Sequence, residues 1–174
     1  MKANTTSSGS TAMGFEAMCA VTTGSNNTAM GRSSLAATIT GQDNTAVGDK
    51  ALCANTGSSN TAVGSLALCS NTSGGGNTAI GLRSGFTNST SDSNTSMGQD
   101  SLRCNTGGSN TAIGRNALES NTTASDNTAV GMNALLANTT GCQNTAVGFH
   151  SMDANISGDR NVAMGRDALG GNTT

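Results

Sequence analysis

The sequence predicts an all-β protein, a parallel β-solenoid, and two observations support this prediction. First, the pentapeptide N-T-A-(V/I/M)-G, allowing single departures, recurs at spacings of 16 or 17 residues. Its ten glycines are Gly14, Gly31, Gly48, Gly64, Gly81, Gly98, Gly114, Gly131, Gly148 and Gly165. Second, each unit contains two short stretches in which residue types alternate with period two, as in a strand with one buried face. We therefore expect ten coils of 16–17 residues, each with two short strands, stacked so that every coil hydrogen-bonds to the next.

The composition agrees with a stacked repeat and excludes several other classes. The 174 residues include 24 Gly and no Pro, and the net charge is −2, which differs from the Pro-rich, highly charged composition of most disordered chains. With only 2% aromatic residues and no basic excess, the chain lacks the features that bind nucleic acid. No apolar run reaches the length of a membrane span, so we expect no membrane insertion.

The repeat divides the chain into two parts. Residues 10–174 form one array, and residues 1–9 precede it as a partial repeat or a leader, since Asn4-Thr5-Thr6 resembles the tail of a unit. Neither end of the array shows the polar capping unit that solenoids ordinarily use to block further pairing. We expect either a piece of a longer fibre or coils that continue across molecules as a filament.

The apolar positions of the two stretches predict a thin core. In the first stretch, Thr and the Val/Ile/Met residue before each glycine are expected to face inward, and in the second stretch Leu is. The predicted core column comprises Met13, Met30, Val47, Val63, Ile80, Met97, Ile113, Val130, Val147, Met164, Leu35, Leu52, Leu68, Leu102, Leu118, Leu135 and Leu169. The small Asn/Ala/Gly side of the first stretch is expected to face outward and to allow close approach of another chain.

Asparagine recurs at two positions of the unit, where stacking would let the side chains hydrogen-bond along the axis in amide ladders. The first ladder is predicted at Asn27, Asn44, Asn60, Asn77, Asn94, Asn110, Asn127, Asn144 and Asn161. The second is predicted at Asn55, Asn71, Asn88, Asn105, Asn121, Asn138, Asn155 and Asn172. The recurring glycine serves either a positive φ or a close backbone approach, and the sequence does not separate the two.

Two places depart from the regular pattern. Gly85 interrupts the Leu column, so we expect a local distortion there with Phe86 supplying the missing bulk. Cys53 and Cys69 occupy equivalent positions in adjacent units, where stacking brings them within disulfide reach. Free, partly buried thiols are the favoured interpretation of these two residues.

No residue pattern predicts catalysis, a cofactor or a metal. His150 is the only histidine and falls in a turn, and no Ser-His-Asp or Cys-His arrangement stands out from the repeat. The turn aspartates lack the dense Asp/Gly pattern of calcium-binding repeats. We therefore expect no enzyme activity, no cofactor and no metal site.

The N-T-A-V-G runs, and especially N-V-A-M-G at 161–165, resemble the repeat of trimeric autotransporter adhesin heads. They are also similar to the N-T-A-V-G…A-L…N-T-T-G arrays of bacteriophage and bacterial tail-fibre-like proteins. The resemblance covers residues 10–174, although the unit here is longer than the adhesin unit. It implies a left-handed β-roll, three chains around a common axis, and a head that binds host-surface or matrix molecules.

Together these observations predict a structural or adhesive fibre module, forming the shaft or head of a surface or virion fibre or a self-assembling extracellular filament. The expected partners are further copies of the chain, as a homotrimer or an end-to-end filament, and a cell-surface or glycan receptor. The alternative is an ice-binding solenoid, in which regular Thr and Ala rows order water. The predicted inward orientation of Thr argues against that alternative.

Overall fold

The computed structural model describes residues 6–174, which form a parallel β-solenoid with one short strand in each coil. The strands are β1 (Thr11–Met13), β2 (Thr28–Met30), β3 (Thr45–Val47), β4 (Thr61–Val63), β5 (Thr78–Ile80), β6 (Thr95–Met97), β7 (Thr111–Ile113), β8 (Thr128–Val130), β9 (Thr145–Val147) and β10 (Val162–Met164). They make one parallel sheet in chain order. Every strand pairs in register with the next, so that equivalent residues stack in rows. The predicted fold class is therefore confirmed.

The first strand begins at Thr11, and the chain before it already stacks on the next coil, since the Thr6 N–H donates to the Thr22 carbonyl at 3.1 Å. The prediction for residues 1–9 rests partly on Asn4 and Thr5, which lie outside the described residues. Within residues 6–174, no helix is long and apolar enough to cross a membrane.

The second strand expected in each coil is absent from the described residues, and a series of turns takes its place. Two positions of this segment have positive φ, for example Ser33 at 53° and Leu35 at 48°. A positive φ of this size belongs to the left-handed helical region and is incompatible with an extended strand. The segment still joins neighbouring coils, since the Leu35 N–H donates to the Ala51 carbonyl at 3.1 Å. Each coil is therefore one strand closed by stacked turns.

The core lies between the inner side of the sheet and these turns, and it contains small residues with one large side chain per coil. The middle residue of every strand from Ala29 onward is buried; it is alanine in each of them except β6, where it is Ser96. Leu52 and Leu118 are fully buried opposite this row. The prediction is confirmed for the leucines Leu35, Leu52, Leu68, Leu102, Leu118 and Leu135. Leu169, in the last coil, is exposed.

Contrary to the prediction, the Val/Ile/Met column is not part of the core. Its Met and Ile members are exposed, and its Val members are half-buried: Met13, Met30, Val47, Val63, Ile80, Met97, Ile113, Val130, Val147 and Met164. The alternation itself was predicted correctly, but the direction was reversed, and the Asn/Ala side faces inward. The coil is too thin for two rows of large side chains. Alanine fits opposite leucine, and the bulkier row points outward.

The apolar core is divided at the coil that contains Gly85. One buried cluster ends at Ala79 and the other begins at Leu102. Gly85 keeps the positive φ of its column, at 60°, and its N–H donates to the Ser101 carbonyl at 2.9 Å. The backbone distortion predicted at this coil is therefore absent.

Hydroxyl groups, rather than Phe86 alone, compensate for the missing leucine. A β-carbon on Gly85 would lie 3.0 Å from Leu68 Cδ2 and 3.4 Å from Ser96 Oγ, so the leucine of the preceding coil and the serine hydroxyl both occupy this part of the interior. Ser84 Oγ donates to Ser96 Oγ at 2.7 Å, so the buried hydroxyls satisfy one another. Phe86 is half-buried beside them.

Candidate interaction face and its supporting ladders

The most distinctive surface of the described chain is the outward side of the sheet. We call it the outer face and define it as the first and third residues of β1 to β10. Its first row is Thr in every strand except β10, where Val162 replaces it, and its second row is the Val/Ile/Met column. Neither row contains a charged residue. Because large continuous apolar patches are uncommon on monomeric proteins, this uncharged and half-apolar surface is the candidate interaction face.

The register makes the outer face regular as well as apolar. Thr stacks on Thr, and an aliphatic or methionine side chain stacks on another, through the nine strand pairings. With strands about 4.8 Å apart, the face extends about 43 Å along the axis. Exposure varies along it: Met13 and Met164 are 58% and 75% exposed at the two ends, whereas the central Ile113 is 38% exposed.

Charged side chains lie beside the outer face rather than on it. Arg32 and Asp49 directly follow repeat glycines in adjacent coils and form an ion pair at 2.8 Å. The hydrogen bond to Arg32 lowers the pKa of Asp49 below its usual value, although desolvation opposes this. At equivalent positions, Leu82, Met132 and Phe149 are exposed apolar residues, which extend the apolar surface past the glycine column in those coils.

The outward direction of the face follows from the first asparagine ladder, which confirms the predicted stacking. The predicted amide-to-amide bonds occur at two steps, Asn44 to Asn27 at 3.1 Å and Asn77 to Asn60 at 3.2 Å, and a backbone bond occurs at every step. Each Oδ1 accepts the backbone N–H of the equivalent asparagine in the next coil at 2.9–3.0 Å, from Asn27 to Asn161. We call the turn segment that precedes each strand the long turn, for example residues 139–143 before β9. Each Nδ2 from Asn27 to Asn144 donates to a carbonyl in the long turn of the next coil. Buried amides must find such partners. They find them only on the inner side, which leaves Thr and Val/Ile/Met outside.

The second ladder is the amide ladder that the sequence predicted. Nδ2 of each asparagine donates to Oδ1 of the preceding one at 2.6–3.4 Å, from Asn55 to Asn172. The same Nδ2 groups, up to Asn155, also donate to a long-turn carbonyl of their own coil. That carbonyl also accepts from the first ladder: Gly141 O, for instance, accepts from Asn127 and Asn138. The two ladders therefore hold the long turn against the sheet.

The recurring glycine satisfies both conditions that the sequence left open. In the first nine units its φ lies between 132° and 141°, and an added β-carbon would overlap the backbone of the glycine in the next coil. Gly165 retains a positive φ of 118° but has no atom within 4 Å of such a β-carbon.

The only histidine of the sequence, His150, lies in a turn between two polar side chains. His150 is half-buried rather than fully solvated, and its Nδ1 lies 2.7 Å from Asp153 Oδ2. Its Nε2 lies 3.1 Å from Asn133 Nδ2, so the ring is held by structural contacts. Residues 6–174 hold no group of three or more His, Cys, Asp or Glu residues that could bind a metal ion. The only feature of the sequence that could have indicated the contact between His150 and Asp153 is their spacing of three residues.

The fold and the outer face define the class of protein as a repetitive parallel β-solenoid with one uncharged, regular surface. Comparison with protein-family models, with curated proteins and with solved structures finds no match to this chain.

Proposed function

We propose that the protein is a structural fibre module whose chains associate through the outer face. The observation that carries this proposal is the outward Val/Ile/Met row, whose side chains are exposed or half-buried and stand in register along the sheet. Burying that row between chains would remove apolar surface from water, which is the main driving force for protein association. The core inside one coil offers little apolar burial of its own, so association also supplies stability that a single chain lacks.

A homotrimer fits this surface, with three outer faces packed around a common axis. Each chain then uses the same patch, and a closed symmetric assembly leaves no outer face free. The flat Thr row, with its hydroxyl groups, lies beside the apolar row and can hydrogen-bond across the interface. The trimer is also what the resemblance to adhesin heads and tail-fibre-like arrays implies. In this proposal the module serves as the shaft or head of an extracellular, cell-surface or virion fibre. The turns opposite the sheet remain available to a cell-surface or glycan receptor.

A double variant, Ile113→Lys with Val130→Lys, tests association through the outer face. We expect the purified protein to have a mass of three times the 17.0 kDa of one chain, and the double variant to have the mass of one chain. Two buried, unpaired ammonium groups per chain would oppose association strongly, while the variant chain remains folded because both positions point away from its core. Light scattering measures the mass, and circular dichroism checks the fold.

The matched control is Gln42→Lys with Ser59→Lys, which adds the same charge at exposed long-turn positions of two adjacent coils. This control should leave the mass unchanged. A single-chain mass for the unmodified protein would disprove the trimer. An oligomer that survives the outer-face substitutions would place the contact elsewhere, as in an end-to-end filament.

An ice-binding solenoid is the second candidate, and one observation favours it. The objection from the sequence was that Thr faces inward, but the Thr row faces outward, in register with the aliphatic row. Such a flat, uncharged array of hydroxyl and methyl groups can order water on a regular spacing. The two candidates require the same face, so a chain that uses it for ice must leave it uncovered.

Thermal hysteresis measured on the purified protein tests this second candidate. If the protein binds ice, we expect faceted ice crystals and a hysteresis that the Ile113→Lys, Val130→Lys variant abolishes. The Gln42→Lys, Ser59→Lys variant should retain it. Absence of hysteresis in a preparation with the mass of a single chain would exclude ice binding.

A further inference from the structure

Two thiol groups are in contact in the turns that follow β3 and β4, which are not part of the outer face. Cys53 and Cys69 follow β3 and β4 at the same position of adjacent coils, and their Sγ atoms are 3.1 Å apart. Both residues are half-buried, and neither is in a disulfide. When protonated, Cys53 Sγ also has the Cys69 carbonyl oxygen as an acceptor at 3.3 Å. The contact is a consequence of stacking, since the flanking coils are hydrogen-bonded in register.

The geometry of adjacent coils suits a disulfide bond. Neighbouring strands of a parallel sheet are about 4.8 Å apart, which falls inside the range of about 4.4–6.8 Å between the α-carbons of bonded cysteines. The backbones of the two coils are already joined next to the cysteines, since the Leu52 N–H donates to the Ala67 carbonyl at 3.0 Å. The two sulfur atoms therefore need to approach by only about 1 Å, through side-chain rotation, to reach bonding distance.

The other cysteines have no such neighbour. The position equivalent to Cys19 in the next coil is Ala36, and the positions equivalent to Cys104 in the two adjacent coils are Thr87 and Ser120. Cys142 lies in a long turn, where its N–H donates to Asp159. These three thiols serve as internal references for accessibility and reactivity.

The two sulfur atoms of the pair differ in acidity. The hydrogen bond with Cys69 lowers the pKa of Cys53 to about 7 in spite of partial burial, and the nearby Lys50 ammonium contributes to this shift. The hydrogen bond with Cys53 and burial raise the pKa of Cys69 above its usual value. Because the thiolate is the nucleophile in thiol–disulfide exchange, Cys53 is the attacking group at neutral pH.

We propose that Cys53 and Cys69 are a redox-active pair that is oxidised to an inter-coil disulfide by low-molecular-weight disulfides. The Cys53 thiolate attacks one sulfur of the small disulfide and forms a mixed disulfide, which releases the first small thiolate. Cys69 then loses its proton to solvent and attacks Cys53 Sγ, and the second small thiolate leaves. The two protein thiols are oxidised by two electrons, and the small disulfide is reduced to two thiols. The product links the coils of β3 and β4 and closes a loop of 16 residues.

Incubation of the folded protein with oxidised glutathione, followed by trypsin digestion and mass spectrometry, tests the proposal. Trypsin cleaves after Lys50 and next after Arg83, so both cysteines of the pair fall in the peptide 51–83. The other three cysteines fall in three separate peptides. We expect the 51–83 peptide to be lighter by two hydrogen atoms and to carry no glutathione, whereas the other three react more slowly and carry one each.

Single variants separate the role of Cys53 as the attacking thiol from that of Cys69 as the resolving thiol. Cys69→Ser removes the resolving thiol, so Cys53 should accumulate as a stable glutathione adduct. In Cys53→Ser, Cys69 loses the hydrogen bond with Cys53 but keeps the partial burial that raises its pKa, so it should form the glutathione adduct more slowly than Cys53 does in Cys69→Ser. Oxidation should raise Tm by about 5–10 °C, and Cys104→Ser, as a control, should leave that shift unchanged.

Two results would overturn the proposal. One is recovery of the 51–83 peptide with a glutathione on each cysteine. The other is recovery of the unmodified peptide under conditions in which Cys104 has reacted. Both results come from the unsubstituted protein, so they do not depend on the folding of a variant, and the measurement does not depend on how chains associate.

Discussion

Replacing Gly131 with alanine should lower the free energy of unfolding by about 4 kcal/mol. A non-glycine residue at the Gly131 φ of 135° is strained by about 1–3 kcal/mol. Its β-carbon would also lie 2.6 Å from the Gly148 carbonyl carbon, so the two coils must move apart. Overpacking of this kind typically costs a further 1–3 kcal/mol. Urea unfolding followed by circular dichroism measures the loss.

Gly165→Ala is the matched control, because Gly165 has the same place in its unit and a positive φ, but its β-carbon would contact nothing. We expect this variant to lose only the strain contribution, about 1–3 kcal/mol. Equal losses in the two variants would show that backbone conformation alone requires the glycine and that close coil approach contributes nothing.

Replacing Asn127 with alanine should lower the free energy of unfolding by about 3 kcal/mol. Asn127 Oδ1 accepts the Asn144 N–H at 2.9 Å, and Nδ2 donates to the Gly141 carbonyl at 2.9 Å. Gly141 O keeps a second donor from Asn138, but the buried Asn144 N–H would be left without an acceptor. An unsatisfied buried donor costs about 1–3 kcal/mol, and the lost hydrogen bonds and the cavity add to it.

Asn161→Ala is the control for this ladder. Its backbone N–H donates to Asn144 Oδ1, which the substitution preserves, and no described residue uses its side-chain amide. We expect the control to cost less than about 1 kcal/mol. Chemical denaturation of both variants at the same pH gives the comparison. If Asn127→Ala were as mild as the control, the first ladder would not stabilise the fold.

The two largest expected effects thus fall on positions that the sequence identified by recurrence. The glycine column and both asparagine columns were predicted at the correct residues, because a requirement that recurs in every coil leaves the same residue in every unit. In the first ladder the predicted amide-to-amide bonds occur at only two steps, and the backbone N–H bond that occurs at every step was not predicted. Whether Oδ1 accepts from a side-chain amide or from a backbone N–H depends on distances that recurrence does not contain.

The principal error of the sequence analysis was the choice of which face of the sheet is buried. The larger side chains were expected inside, as in an ordinary core, but Val47 and its equivalents point outward and Ala46 and its equivalents point inward. The interior is set by what fits between the sheet and the stacked turns. One leucine and one alanine fill that space, and the asparagine amides need the long-turn carbonyls that only the inner side provides.

The sequence by itself determined the repeat, its ten strands, their parallel register and the rows that stack, because all of these follow from a spacing of 16 or 17 residues and a period of two. Only the tertiary structure decided which side of the sheet is buried, that the leucine segment is a turn rather than a strand, and that Cys53 and Cys69 touch. These depend on coil thickness, on positive φ angles and on the distance between side chains in adjacent coils. The repeat predicts which residues stack in the same row, but it does not predict the distances between rows or the space available to their side chains.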